Sequence, residues 1–283
     1  MSFEKLNTTE LDKDLSPEER AEWNAIYASY RAGSLLAGEI SGIDSYTVND
    51  NGEKMLAAVI INYRVKILIP EKLLWSDHED MTKAMTRNLL GAKIEYVIQE
   101  IDRENSVCVA SRIAALKIRR RQFWNDKPKV GSRVKCSVLA VGVKKIFVEV
   151  YGFEMRLKRR ALCYSLMPDF RLRFSTGQSL TAVITKADRK ENILEISVRE
   201  ASPHPYIGIR KRHPINSRRT SVITGKYKGS VFCRLEDDFE CLCNYSEYQN
   251  DDDFQIGDRV VIVVKEFDDK AKRVYGVIVS KWN

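Results

Sequence analysis

Three times along the chain a glycine is followed, eleven residues later, by an aspartate, with an alternating apolar run between them. The runs are AKIEYVIQEI between Gly91 and Asp102, QSLTAVITKA between Gly177 and Asp188, and DRVVIVVKEF between Gly257 and Asp268. Charged turn residues follow, as in Arg103-Glu104-Asn105 and Arg189-Lys190-Glu191-Asn192, and then a second alternating run. That run reaches Ser111 or Ser197, nine residues past the aspartate in both, whereas the third copy is about three residues longer before Ser280. Period-two apolar runs separated by short polar turns are β-hairpin signals. Recurrence in a fixed frame marks one structural unit used three times. A length of 283 residues at about 150 per domain suggests about two domains; the repeat sharpens this to three small ones and excludes one large core.

Upstream of each hairpin lies a further set of short strand-like runs: LLAGEISGI, MLAAVIINY and VKILIP; RVKCSVLAV, IFVEVYGF and EMRLKR; SVITGKYKG, SVFCRL and FECLCNY. Five short strands in each repeat match the size and spacing of a Greek-key OB barrel, with a five-stranded sandwich fragment as the alternative. The expected fold is all-β, three tandem five-stranded OB-fold barrels with an N-terminal α-helix and a helical connector. The expected boundaries are a tail and amphipathic helix over 1–32, a first barrel over 33–115, a basic connector over 116–129, a second barrel over 130–200, a basic Pro-rich linker over 201–218 and a third barrel over 219–283.

Ser16-Pro17-Glu18-Glu19 reads as a helix start, with Ser as N-cap, Pro at the first helical position and Glu at the third. Trp23, Ile26, Tyr27 and Tyr30 form one stripe of this helix, which either packs on the first barrel or enters a groove on a partner. RIAALKIRRRQFW after Ser111 has helical spacing, joins the first two repeats and adds the charge of Arg119, Arg120 and Arg121. The link after Ser202, PHPYIGIRKRHPINSRR, reads as an extended basic segment able to order on RNA.

Charge is unevenly placed. The formal net charge is +8, yet seven acids against three bases between Glu4 and Glu22 give −4, and twelve against two between Glu236 and Asp269 give −10. Between Arg112 and Arg173 seventeen bases face four acids, a net +13. A basic middle between acidic ends is the electrostatic footprint of a polyanion binder, or a solvated basic face. The six cysteines are scattered, without Cys-x-x-Cys pairs or neighbouring histidines, so reduced thiols are expected and neither disulfides nor a metal site. Cys241 and Cys243 share one strand face and read as core. No phosphate-binding loop, HExxH or GxSxG occurs, and no carboxylate cluster or His pair suits acid–base work, so no catalysis and no cofactor are expected. No apolar run suits a membrane span and no leader-like start is present, which sets the expectation of a cytoplasmic monomer.

The run Asp238-Phe-Glu-Cys-Leu-Cys-Asn-Tyr-Ser-Glu-Tyr248, with the Gly257 to Asp268 strand and the closing apolar strand, resembles the S1 RNA-binding domain, whose familiar run is Gly-Val-Glu-Gly-Leu-Val-His-Ile-Ser-Glu-Leu. The second copy fits the frame as Gly152 to Leu162 and the first as Arg64 to Leu74. The resemblance spans about 33–115, 130–200 and 219–281, and implies an OB fold and single-stranded RNA binding of low sequence specificity in translation or RNA metabolism.

The resemblance further implies an aromatic on the second strand and a polar residue ending the third. Phe147 and Phe232 take the aromatic position; Lys158 and Asn244 take the other. Around Phe147 stand Lys144, Lys145, Arg156, Arg159 and Arg160, and beside Phe232 lie Lys226, Tyr227, Lys228 and Arg234. Exposed rings stack on bases and neighbouring cations follow phosphates. Strand aromatics are also ordinary core residues, although Phe232 and Arg234 share a face while Cys233 and Leu235 point the other way. Copy one has Ala58 and Pro70 at these positions and reads as a degenerate packing or docking module. Asp251, Asp252 and Asp253 repel phosphate if they share the third copy's ligand side. The alternatives are an adaptor docking on the ribosome or another ribonucleoprotein, and a single-stranded DNA binder.

Overall fold

The computed structural model describes residues 15–47, 54–62, 64–76, 86–126, 128–165, 167, 169–227, 229–236 and 239–282. Sixteen β-strands dominate the described residues. The chain divides into two compact units, 1–157 with 170–195, and 158–169 with 196–283.

The first unit begins with α1 (Pro17–Ala32). Glu19 N donates to Ser16 Oγ at 3.2 Å and Ser16 N donates to Glu19 Oε2 at 3.0 Å, the reciprocal cap predicted from the sequence. Trp23 and Ile26 are buried in the first barrel's core. Ile98 N donates to Ser29 Oγ at 3.0 Å where the strand bulges, so the helix supplies a partner that the sheet does not. Trp23 and Ile26 of the stripe therefore pack on the first barrel with Tyr27 half-buried beside them, while Tyr30 stays exposed.

The first sheet contains β1 (Leu36–Glu39), β2 (Gly42–Thr47), β3 (Lys54–Asn62), β4 (Val65–Pro70), β5 (Lys93–Asp102) and β6 (Val107–Ser111), in the order β1-β5-β6-β4-β3-β2. β1 and β2 are halves of one run broken at Ile40 and Ser41, whose N–H groups donate to Ala92 O and Val59 O, both at 2.9 Å. The sheet thus nearly closes across the break, with β4 and β6 paired in parallel. In β4 every second residue is buried, and Ile67 and Ile69 enter the core with Ala58 from β3.

The second sheet contains β7 (Arg133–Val141), β8 (Lys145–Val150), β9 (Phe153–Lys158), β10 (Ser179–Asp188) and β11 (Ile193–Ser197), ordered β11-β10-β7-β8-β9 with β9 and β11 at its edges. The architecture is thus mostly β, OB-fold-like, with closed or nearly closed barrels. The glycine of the repeat frame has a physical cause: Gly91, Gly177 and Gly257 all lie at positive φ, +79°, +79° and +100°.

Between the two sheets runs α3 (Arg112–Asn125), which follows the single-turn α2 (Glu71–Leu74) in chain order. Its basic residues hold the sheets together. Arg112 is fully buried and donates from Nη1 to Leu74 O at 2.9 Å and from Nη2 to Glu149 Oε2 at 2.7 Å; Nη1 also pairs with Glu154. Its guanidinium lies 5.4 Å from the Trp75 ring centre. Arg119 binds Glu95 Oε2 through Nε at 2.6 Å, and Arg120 Nε donates to Gly152 O at 2.6 Å. The expectation that this helix serves to add positive charge is corrected: three of its arginines are committed to carboxylates and carbonyls of the two sheets.

In the second unit, β12 (Arg218–Tyr227), β13 (Ser230–Leu235), β14 (Glu240–Tyr245), β15 (Arg259–Asp268) and β16 (Arg273–Lys281) form a closed barrel in the order β12-β13-β14-β16-β15. The pair β14–β16 is parallel and the other pairs antiparallel. Cys233, Cys241 and Cys243 are buried in its core, and all six cysteines are free thiols. The single-turn α4 (Arg159–Leu162) also belongs to this unit. The expected extended linker is instead folded: α5 (Ile209–Arg212) places Ile209 in the barrel's core, the Tyr206 ring lies 6.0 Å from Phe239, and Arg210 pairs with Asp269 at 2.7 Å. Its apolar residues outweigh the extended bias of its prolines because the barrel end offers them a surface.

Candidate nucleic-acid interface

Along β13 burial alternates strictly: Val231, Cys233 and Leu235 point inward, while Phe232 and Arg234 lie on the other face. Phe232 sits opposite Leu242 of β14 in register. These two residues floor a cleft of about 610 Å³. Tyr227 and Ser230 from the β12–β13 turn and Lys272 and Arg273 from the β15–β16 turn line it as well, and Tyr164 and His204 reach it from outside the barrel strands. This is the second- and third-strand face between the first and last hairpin turns, where OB barrels take oligonucleotides.

The cleft combines rings with cations. Tyr227 is 62% exposed. The Tyr164 and His204 rings are 4.4 Å apart, and Arg199 stands 4.9 Å from the Tyr164 ring centre. Tyr206 N donates to His204 Nδ1 at 3.1 Å, so Nδ1 is the acceptor and the ring proton belongs on Nε2. Burial, with Lys272 and Arg199 nearby, pulls His204 below its ordinary value and keeps the imidazole neutral at pH 7. Asp251 is neutralised locally: the Tyr245 hydroxyl donates to it and Lys226 Nζ lies 3.2 Å away, and together they hold its carboxyl below the ordinary range. Lys226 is thereby engaged with the acidic turn.

The other expected site residues divide. Asn244 is exposed and Ser230 Oγ donates to its Oδ1 at 3.2 Å, while Arg234 is half-buried on the Phe232 face. Lys228 lies outside the described residues. In the second repeat the stacking platform is corrected. Phe147 is only 4% exposed and sits in the core shared with the first sheet, its ring 5.5 Å from Trp75 at 68°. Alternation fails on β8, where Ile146, Phe147 and Val148 are all buried, because the face that would meet solvent in an isolated barrel is covered by the neighbouring repeat. Lys144 and Lys145 are exposed and Arg156 is half-buried in the first unit; Lys158 and Arg160 are exposed and Arg159 half-buried in the second.

Sequence reading missed Tyr164, His204, Lys272 and Arg273. The last two sit at the end of the third copy's charged turn, Lys272 in the turn and Arg273 opening the closing strand, in the frame that Asp102 and Asp188 start in the other copies. Tyr164 and His204 had none: Tyr164 follows the third-strand run of the second copy and His204 stands in the segment between the second and third copies. Among the described residues no group of three or more His, Cys, Asp or Glu is placed to hold a metal, and no helix is long and apolar enough to cross a membrane.

No protein-family model matches the chain. Among curated proteins, it is 22% identical over 269 residues to small ribosomal subunit protein bS1 of Pseudomonas aeruginosa, with 90% of this chain and 45% of that protein covered. It is 27% identical over 272 residues to small ribosomal subunit protein bS1 of Chlamydia trachomatis, covering 92% and 45%. The chain is S1-like. This S1-like chain spans about half the length of the curated relatives it matches. Among solved structures, it is similar to a chain of the a/eIF2alpha–aDim2p–rRNA complex from Pyrococcus horikoshii, with 18% identity, a TM-score of 0.24, and 26% of this chain and 46% of that one covered.

Proposed function

We propose that the S1-like chain binds single-stranded RNA, without catalysing a reaction on it, through the cleft of its third barrel. The observation that carries this reading is the convergence of Phe232, Tyr227, Lys272 and Arg273 on one cleft across the second and third strands. Bases stack on such rings for about 1–3 kcal/mol each and the cations follow the phosphates. These contacts tolerate sequence, so any preference depends on the base that enters the cleft.

In this reading the three repeats are tandem five-stranded OB-type barrels with different duties. The first two, joined by Arg112 and its partners, are a scaffold; the third is the reader. Lys144, Lys145, Arg156, Lys158, Arg159 and Arg160 act as long-range attraction for the polyanion and not as a ring-centred site, while Arg234 and Asn244 lie on the reading strands. The bS1 names of the relatives support work in translation or RNA metabolism, with the ribosome as a partner. Burial of Trp23 and Ile26 takes two of the four residues of the adaptor reading's docking stripe into the first barrel's core, which favours the RNA reading over it.

Competition between matched RNA and DNA 12-mers for the full chain, read by fluorescence anisotropy with duplex controls, tests the reading. Submicromolar to micromolar binding of single strands, RNA ahead of DNA and duplex behind both, is expected. Equal binding of duplex and single strands would overturn it.

A further inference from the structure

We propose that the third-barrel cleft takes the end of a strand and holds its terminal phosphomonoester; this rests on the cleft being the RNA interface. OB folds that track a backbone cover about 4–16 nucleotides on an open face. Here four residues from outside the barrel strands, Tyr164, Ser165, His204 and Pro205, add a wall to the cleft. The wall is a packed one: the Tyr164 and His204 rings are 4.4 Å apart, and Arg199 stands 4.9 Å from the Tyr164 ring centre. A volume of about 610 Å³ is that of a small-molecule site. It suits one terminal nucleotide better than a run of them.

The polar groups of the cleft match that phosphate. Lys272 and Arg273 line it, and among the described residues neither is tied to a carboxylate. The cleft's own carboxylate, Glu240, is already engaged: Thr224 Oγ1 donates to it at 3.5 Å, and Arg234 interacts with it from the opposite position in register. The acids of the β15–β16 turn are engaged as well. Asp268 Oδ1 accepts from Ala271 N at 2.8 Å, and Asp269 accepts from the Tyr206 hydroxyl and from Arg210, both at 2.7 Å. The positive charge of Lys272 and Arg273 is therefore left for a ligand. His204 adds a neutral donor, because its Nδ1 accepts from Tyr206 N and its proton stays on Nε2. A phosphomonoester carries about −1.5 to −2 and three acceptor oxygens, one for each of these three donors. A backbone diester has one charge and two such oxygens. Hydrogen bonds with an ionised partner are about twice as strong as neutral ones, so the added charge and the third oxygen favour the terminal group.

Competition for the full chain against a 5′-phosphorylated 12-mer oligouridylate, carrying fluorescein on an internal base, tests this by anisotropy. The competitors are unlabelled oligouridylates: 12-mers with a 5′-phosphate or a 3′-phosphate, and a 14-mer with hydroxyls at both ends, whose two extra diesters carry about the same added charge. At least one phosphorylated 12-mer is expected to displace the probe at a concentration about tenfold or more below that of the 14-mer, equivalent to about 1.4 kcal/mol. The form that does so identifies the end. Lys272→Gln with Arg273→Gln should reduce that advantage to under about threefold, and His204→Phe, which keeps a ring in the wall but removes the donor, should lower it about threefold. Phosphorylated 12-mers that compete no better than the 14-mer, or an advantage that survives the double substitution, overturn the proposal. The wild-type ranking decides the matter even if the variants fail to fold. If wild type binds no oligouridylate at all, the RNA-interface reading itself falls; binding without end preference overturns the terminal site alone.

Discussion

Arg112 and Glu154 form an ion pair almost wholly withdrawn from water, their side chains 1% and 6% exposed. The pair joins the connector helix to the second sheet while the same guanidinium holds Leu74 O of the first. Removing one partner of a buried pair costs about 3–5 kcal/mol, because the other charge stays buried alone. Arg112→Met should therefore destabilise the first unit by that order in urea unfolding, with little effect on RNA affinity measured where the protein is folded.

The same pair sets a pH dependence. Burial alone would raise the Glu154 carboxyl, but the charge of Arg112 and hydrogen bonds from Ser76 prevail and hold it below its ordinary 4.5. A carboxylate depressed by folding stabilises the native state above its unfolded value and loses that contribution as pH falls through its folded value. Thermal melts should thus show a plateau above about pH 5 and a drop below it. Arg112→Met should flatten that acid limb.

Phe147 and Phe232 occupy matching positions in two repeats and should behave oppositely. Phe147→Ala opens a cavity in the shared core and should cost about 3–5 kcal/mol of stability. Phe232→Ala should cost little stability and about 1–3 kcal/mol of RNA affinity. Melting curves and anisotropy titrations of the two variants separate these effects.

The contrast shows what the sequence could and could not carry. The eleven-residue frame, the hairpins, the capped first helix and the paired thiols were legible because each depends on neighbours along the chain. Phe147 was misread because its burial depends on Trp75, 72 residues away in sequence, and an alternating pattern reports only whether a face is covered, not by what. The folded state of residues 201–218 was hidden in the same way: Ile209 gains its place from a barrel end that the local sequence does not describe. Tyr164 and His204 enter the site from outside the third repeat, the one from the second copy and the other from the segment between the copies.

The frame glycines offer a graded test. At Gly177 (φ +79°) a Cβ would lie 2.4 Å from Gly91 O, whereas at Gly257 (φ +100°) it would meet nothing within 4 Å. Gly257→Ala should cost the roughly 1–3 kcal/mol of a left-handed strained residue. Gly177→Ala should cost more, since backbone must also move. Denaturant midpoints of the two variants check the order.

Lys272 and Arg273 predict the salt dependence. Each phosphate contact on a single strand contributes a slope of about −0.7 to log K against log salt. Lys272→Gln with Arg273→Gln should flatten the slope by about 1.4 if both touch phosphate. Titrations at several salt concentrations read it directly.

The central claim, that the third barrel reads the strand, is tested most directly by photo-crosslinking RNA carrying 4-thiouridine and guanosine to the full chain and mapping the modified peptides. The account predicts crosslinks at Tyr164, Tyr227 and Phe232. Crosslinks confined to residues 15–157, with peptides around 227–232 unmodified, would contradict it.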